Sequence, residues 1–311
     1  MAATKEQIIS LLSGYSVEVT PSSAAKVDDF SAHLAPGTAV NVTFLSGSDI
    51  ADTIAICARL RREGFNPVPH IAARSLENTA HLERYLDGLA TEAKIDEALV
   101  IGGGVDRPIG PFATSMQVLD SGLLERHGIT KIGVAGHPEG SPDISETETR
   151  DALARKNAWA RDNDATVYIE TQFCFEADKV VAWERQIRAD GNVLPIHIGL
   201  PGLMTLKRLL KFAQMSGVGP SIRVLTRQTR NIAKLLIVQE PDLVVAELAE
   251  AVASDSASLL RGVHFYPFGG LAETTAWLNT AAAGNFRIKP EGGFDLLEDG
   301  TATTSPLRAV S

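Results

Sequence analysis

Eight short apolar, β-branched runs recur along the chain, each closed by Gly, Pro or Ser and followed by a segment with helical spacing. They are Tyr15–Thr20, Ala39–Leu45, Pro67–Ala72, Ala98–Gly102, Lys131–His137, Thr166–Phe175, Val193–Leu200 and Gly262–Pro267. Runs that stay apolar on both faces, such as Ala98-Leu99-Val100-Ile101, suit parallel strands covered on both sides. Between them Ile50, Ile54, Cys57, Ala58 and Arg61 follow the i, i+4, i+7, i+8 rule, predicting a helix over Ile50–Glu63 that Gly64 ends. Ala177–Ala189 reads the same way, closed by Asp190-Gly191. Strand–helix alternation implies a parallel sheet with right-handed crossovers. Eight strands at this spacing fit an α/β (β/α)8 TIM barrel, a fold of about 250 residues; an open doubly wound sheet is the alternative. The long seventh connection, Pro201 to Arg261, predicts extra helices at Met204–Met215 and Pro241–Val252, an insertion within one domain. The expected organisation is a single barrel domain over 1–288 and a flexible polar tail over 289–311.

Composition narrows the partners. The 311 residues carry 29 basic and 38 acidic side chains, a formal net charge of −9, with no Lys/Arg block, which argues against nucleic acid and against an anionic membrane surface. Charged residues punctuate every apolar run before it reaches the roughly 18 residues a bilayer span requires. The first ten residues include Lys5 and Glu6 and no signal-like apolar core, so the cytoplasm is the expected location. The two cysteines, Cys57 and Cys174, sit apart in apolar segments and read as small buried hydrophobes. No metal site is expected, because His197 and His264 have no second ligand at the right spacing. Charge is compatible with a monomer or a homo-oligomer.

In a barrel of this kind chemistry sits at the carboxyl ends of the strands. Glu18, between Val17 and Val19, is the most informative residue, since a strand carboxylate is costly to bury without a partner or a function. It reads either as a general acid or as an outward group paired with a Lys or Arg. Gln172, in an otherwise apolar strand, offers donors and an acceptor suited to a heterocycle edge, or is a satisfied core amide. Thr43, His70, His264 and Tyr266 finish other strands. Gly102-Gly103-Gly104 could let backbone approach a flat ring or a phosphate, and Gly136-His137-Pro138-Glu139-Gly140-Ser141-Pro142 forms a second tight loop. Neither is a Rossmann fingerprint or a P-loop.

In this order, Val17-Glu18-Val19-Thr20-Pro21, Val42-Thr43-Phe44, Pro69-His70, Val134-Ala135-Gly136-His137-Pro138-Glu139, Thr171-Gln172-Phe173-Cys174-Phe175-Glu176, Ile198-Gly199-Leu200-Pro201 and His264-Phe265-Tyr266 resemble the methylenetetrahydrofolate reductase family. The resemblance spans roughly Tyr15 to Gly270. It implies a barrel that binds FAD, with NADH or NADPH and a folate using the flavin in turn, and reduces 5,10-methylenetetrahydrofolate to 5-methyltetrahydrofolate. By similarity Glu18 is the acid that protonates folate nitrogen 10, Gln172 holds the pterin edge, and Phe212, Arg208 and Tyr266 contact substrate. Thr43, His70, Gly102, Gly103, Gly104, His137, Glu139, Ser141, Asn157 and Arg161 fall where the family contacts FAD. Departures are present: Gly102-Gly103-Gly104 replaces the family's Arg-Gly-Asp, leaving Asp106 as the nearest carboxylate for the catalytic aspartate. His137 replaces a tyrosine, and Ser141 stands where a second histidine is common. The resemblance leaves two alternatives, a folate-dependent methyl-transfer enzyme without flavin and a non-catalytic folate-binding protein.

Overall fold

The computed structural model describes residues 2–45, 47–141, 144–205, 207–208, 210–211, 238–298 and 301–302. Eight parallel strands close into a barrel. They are β1 (Ser16–Val19), β2 (Ala39–Val42), β3 (Asn66–Ala72), β4 (Glu97–Ile101), β5 (Lys131–Gly136), β6 (Thr166–Thr171), β7 (Ile196–Pro201) and β8 (Leu260–Tyr266). Each predicted run contains most of a strand. The sixth is shorter than the run implied, ending at Thr171, because the chain bends there so that the Cys174 amide donates to the Gly199 carbonyl at 2.9 Å.

The chain divides into two compact units. The first comprises residues 16–136 and 151–170. Strand alternation sorts its side chains: Val17 and Val19 are buried on one face of β1, while Glu18 lies on the other, in register with Asn41 of β2. Space inside is made by Gly133, where a Cβ would stand 2.7 Å from Leu99 Cδ1 and 2.8 Å from Tyr168 Cζ. The predicted helix is observed at Ile50–Arg62, with the Asp49 side chain accepting from the Ala51 amide and Ile54, Cys57, Ala58 and Leu60 buried. Gly64 follows at φ +90°, a left-handed position suited to glycine after a helix end.

The second unit comprises residues 1–15, 137–150 and 171–311. It holds β7 and β8, with His264 paired to Gly199 and Tyr266 to Pro201, and helices at Ala177–Ala189, Asp242–Ser254 and Leu271–Ala282. Two expectations are corrected here. The helix expected over Met204–Met215 starts later than expected: Met204–Thr205 form a short strand paired antiparallel with Val238–Gln239, because the run after Pro201-Gly202 stays extended and finds an edge partner, and the described residues 207, 208, 210 and 211 are helical. The tail expected to be flexible from Lys289 is ordered across Phe294–Glu298, which pairs with Phe286–Ile288 and with Thr301–Ala302. The cause is a hairpin around the left-handed Gly292 and Gly293, with Phe294 buried against Trp277 at 5.4 Å and Phe286 at 4.5 Å.

Candidate functional site

Strand register in the first unit brings polar side chains together. Glu18 on β1 approaches His70 on β3, with Oε2 to Nε2 at 3.6 Å and side-chain exposures of 15% and 6%. His70 is fixed along its strand by the Tyr85 hydroxyl, which donates to the His70 carbonyl at 3.2 Å. Nearby in register, Asn41 Nδ2 donates to Glu170 Oε1 at 2.5 Å, and both residues are buried. Neither Asn41 nor Glu170 stood out in the sequence, although the argument that singles out Glu18 applies equally to Glu170, a carboxylate between Ile169 and Thr171 in a buried strand. Thr43, just past β2, has a buried hydroxyl without a hydrogen-bond partner among the described residues.

The glycine run after β4 is shaped from β3. The Arg74 amide donates to the Gly102 carbonyl at 2.9 Å, and its guanidinium donates to the carbonyls of Ala113 at 3.0 Å and Val105 at 3.4 Å. Gly103 adopts φ +92°, and a Cβ on Gly102 or Gly104 would meet nothing within 4 Å. Asp106 is exposed on this loop and, among the described residues, makes no ion pair with a base or hydrogen bond to Glu18. The side chain that stands beside Glu18 is His70, on β3.

Other expected cofactor contacts separate. Asn157 is buried and donates from Nδ2 to Leu153 O of its own helix at 3.0 Å. Arg161 is exposed in the last turn of Glu146–Asp162, next to the start of β6 and away from the strand ends. Beside Asn157, Lys156 is buried with Nζ donating to Ala135 O at 3.3 Å, and burial holds its ammonium down to about 8.

In the second unit, Glu139 is a structural brace. Its Oε1 accepts from the amides of Phe175 at 2.8 Å and Glu176 at 3.2 Å, tying the His-Pro-Glu loop to the loop after β6. Burial pushes its carboxyl up, against the lowering effect of those two amides. His137 and Ser141 are half-buried on the same loop. Gln172 is half-buried with Oε1 accepting from the Phe173 amide at 3.1 Å. Tyr266, half-buried, donates its hydroxyl to Thr171 O at 2.9 Å. Arg208 Nη2 donates to Phe268 O at 2.8 Å. Phe212 lies outside the described residues. Cys57 and Cys174 are buried free thiols, both pushed up by burial. No helix among the described residues is long and apolar enough to cross a membrane.

A flavin can be tested against these residues. The chemistry on offer is the orphaned Thr43 hydroxyl and the open surface over Gly102 and Gly104, which leave room for such a group. Asn157 Nδ2 and Glu139 Oε1 are held by backbone partners, whereas Glu139 Oε2 is buried without a hydrogen-bond partner among the described residues.

Fold and strand-end chemistry define a (β/α)8 barrel protein with an acid–histidine pair on strands one and three. The chain belongs to the methylenetetrahydrofolate reductase family, whose profile matches residues 27–268. Over 88 residues it is 35% identical to methylenetetrahydrofolate reductase 1 of Schizosaccharomyces pombe, a match covering 28% of this chain and 14% of that protein. Among solved structures it resembles an uncharacterized protein from Clostridium thermocellum that binds two copies of 5-methyl-5,6,7,8-tetrahydrofolic acid. That likeness has a TM-score of 0.58 at 12% identity and covers 88% of this chain and 99% of the other.

Proposed function

We propose that this chain reduces 5,10-methylenetetrahydrofolate to 5-methyltetrahydrofolate with electrons from NADH or NADPH. The observation that carries the reading is the enclosed Glu18 carboxyl, 3.6 Å from His70. Family membership and the folate bound by the Clostridium thermocellum neighbour supply the substrate class. Glu18 delivers a proton to folate nitrogen 10, opening the five-membered ring to an iminium cation. His70 lines the same spot, its Nε2 standing 3.6 Å from the carboxylate oxygen, beyond hydrogen-bond reach, on a strand two removed in the barrel order. Gln172 presents amide donors and an acceptor to the pterin edge. Thr43 and the Gly102–Gly104 surface would hold a flavin, which when bound supplies hydride relay between nicotinamide and folate.

The test combines spectrum and variant. Protein supplied with FAD should show flavin absorbance bleached by NADH and restored by methylenetetrahydrofolate. Glu18→Gln should cut folate turnover by 10²-fold or more while NADH oxidation by an artificial acceptor persists. Equal loss in both half-reactions would remove Glu18 from the acid's role. The Gly102-Gly103-Gly104 sequence favours a second reading, folate methyl transfer or folate binding without flavin. A colourless sample inert to FAD and NADH would select it.

A further inference from the structure

We propose that Phe268 is a specificity-determining residue whose ring, paired with Tyr266, stacks against a planar conjugated ring of the folate. The inference rests on the folate reading above. It starts from backbone conformation: Phe268 has φ +47°, the left-handed region that residues with a Cβ avoid, although glycines follow at 269 and 270. Such conformations persist where surrounding contacts over-determine them, and they concentrate at ligand sites.

Here the contacts are explicit. Arg208 Nη2 donates to the Phe268 carbonyl at 2.8 Å, and the Gly270 amide closes the turn onto Pro267 O at 2.9 Å. The Phe268 ring lies nearly parallel to Tyr266, centroids 5.9 Å apart and planes at 21°. It also meets Phe173 edge-on, at 5.3 Å and 89°. Tyr266 is fixed by its own hydroxyl on Thr171 O and by Phe173 at 5.6 Å. Phe173 is 1% exposed and forms the floor, whereas Phe268 and Tyr266 are half-exposed. Two aligned rings with accessible surface, next to the chain carrying Gln172, suit a third flat π-system in offset stacking. In this arrangement Arg208 is a positioning residue: it reaches the ligand through the Phe268 backbone.

The test is calorimetric titration of the wild-type chain, Phe268→Gly, Phe268→Tyr and Phe268→Leu with 5-methyltetrahydrofolate and, separately, with NADH. Glycine tolerates the left-handed backbone, so Phe268→Gly keeps the loop's conformation while removing the ring, and thermal midpoints recorded for every variant confirm that the chain titrated is folded despite the lost packing on Phe173 and Tyr266. Phe268→Gly and Phe268→Leu should lose about tenfold in folate affinity, Phe268→Tyr should retain it, and NADH affinity should stay within about twofold. Wild-type binding with Phe268→Gly equal to it would overturn the role of Phe268 while leaving the folate reading intact. Loss confined to NADH would overturn it too, assigning the ring to the nicotinamide. A wild-type chain that binds no folate would sink the folate reading and this inference with it.

Discussion

At the residue scale, burial decides which polar groups carry information. Lys156 shows how: its ammonium sits under a helix with one carbonyl partner, and its folded value of about 8 lies below the ordinary 10.5. Between those two values the unfolded chain binds more protons than the folded one, so stability from this group rises as pH climbs from about 8 toward 10.5 and is flat below. The gap corresponds to about 3 kcal/mol. Lys156→Met should therefore be more stable than wild type at pH 7, and urea titrations should show the difference shrinking as pH approaches 10. Glu18 and Gln172 were legible as isolated polar groups in apolar strands. Glu170 was equally legible in principle, yet its partner Asn41 is 129 positions away, and no local pattern announces a pairing of that range. Likewise the bracing role of Glu139 depends on the amides of Phe175 and Glu176, which its own loop does not reveal.

At the element scale, period and punctuation were reliable where local sequence settles the conformation. Ala177–Ala189 and the helix ended by Gly64 are helices as the spacing predicts. Where tertiary partners decide, the boundary moved: Met204-Thr205, read as the first residues of a helix, pair with Val238-Gln239, and helix is seen only at the described residues from 207 on. The hairpin near the end of the chain was hidden because its polar composition suggests a tail, while its anchor lies upstream. That anchor is Asp242, whose Oδ2 accepts from Lys289 Nζ and from the Phe294 amide, the latter at 3.2 Å. Removing it leaves a buried amide and an ammonium without their acceptor. Asp242→Ala should cost about 2 kcal/mol, with hydrogen exchange at 294–298 accelerating more than at β3 or β4.

At the scale of the whole molecule, alternation alone was enough to read eight parallel strands, because right-handed crossovers leave few other arrangements. The way their interior is filled was not readable, since it depends on which side chains meet from different strands. Gly133 is the sharpest case: a methyl group there would drive into Leu99 and Tyr168. Gly133→Ala should lose about 1–3 kcal/mol, visible as a lowered thermal midpoint with unchanged helix content. The Asn41–Glu170 bond has a related consequence. It links strands two and six, which are not neighbours in the barrel order, with both side chains excluded from solvent. A crosspiece of that kind ties opposite sides of the ring in the same layer as Glu18, so Asn41→Leu would strip a buried carboxylate of its amide donor and loosen two strands that share no backbone ladder.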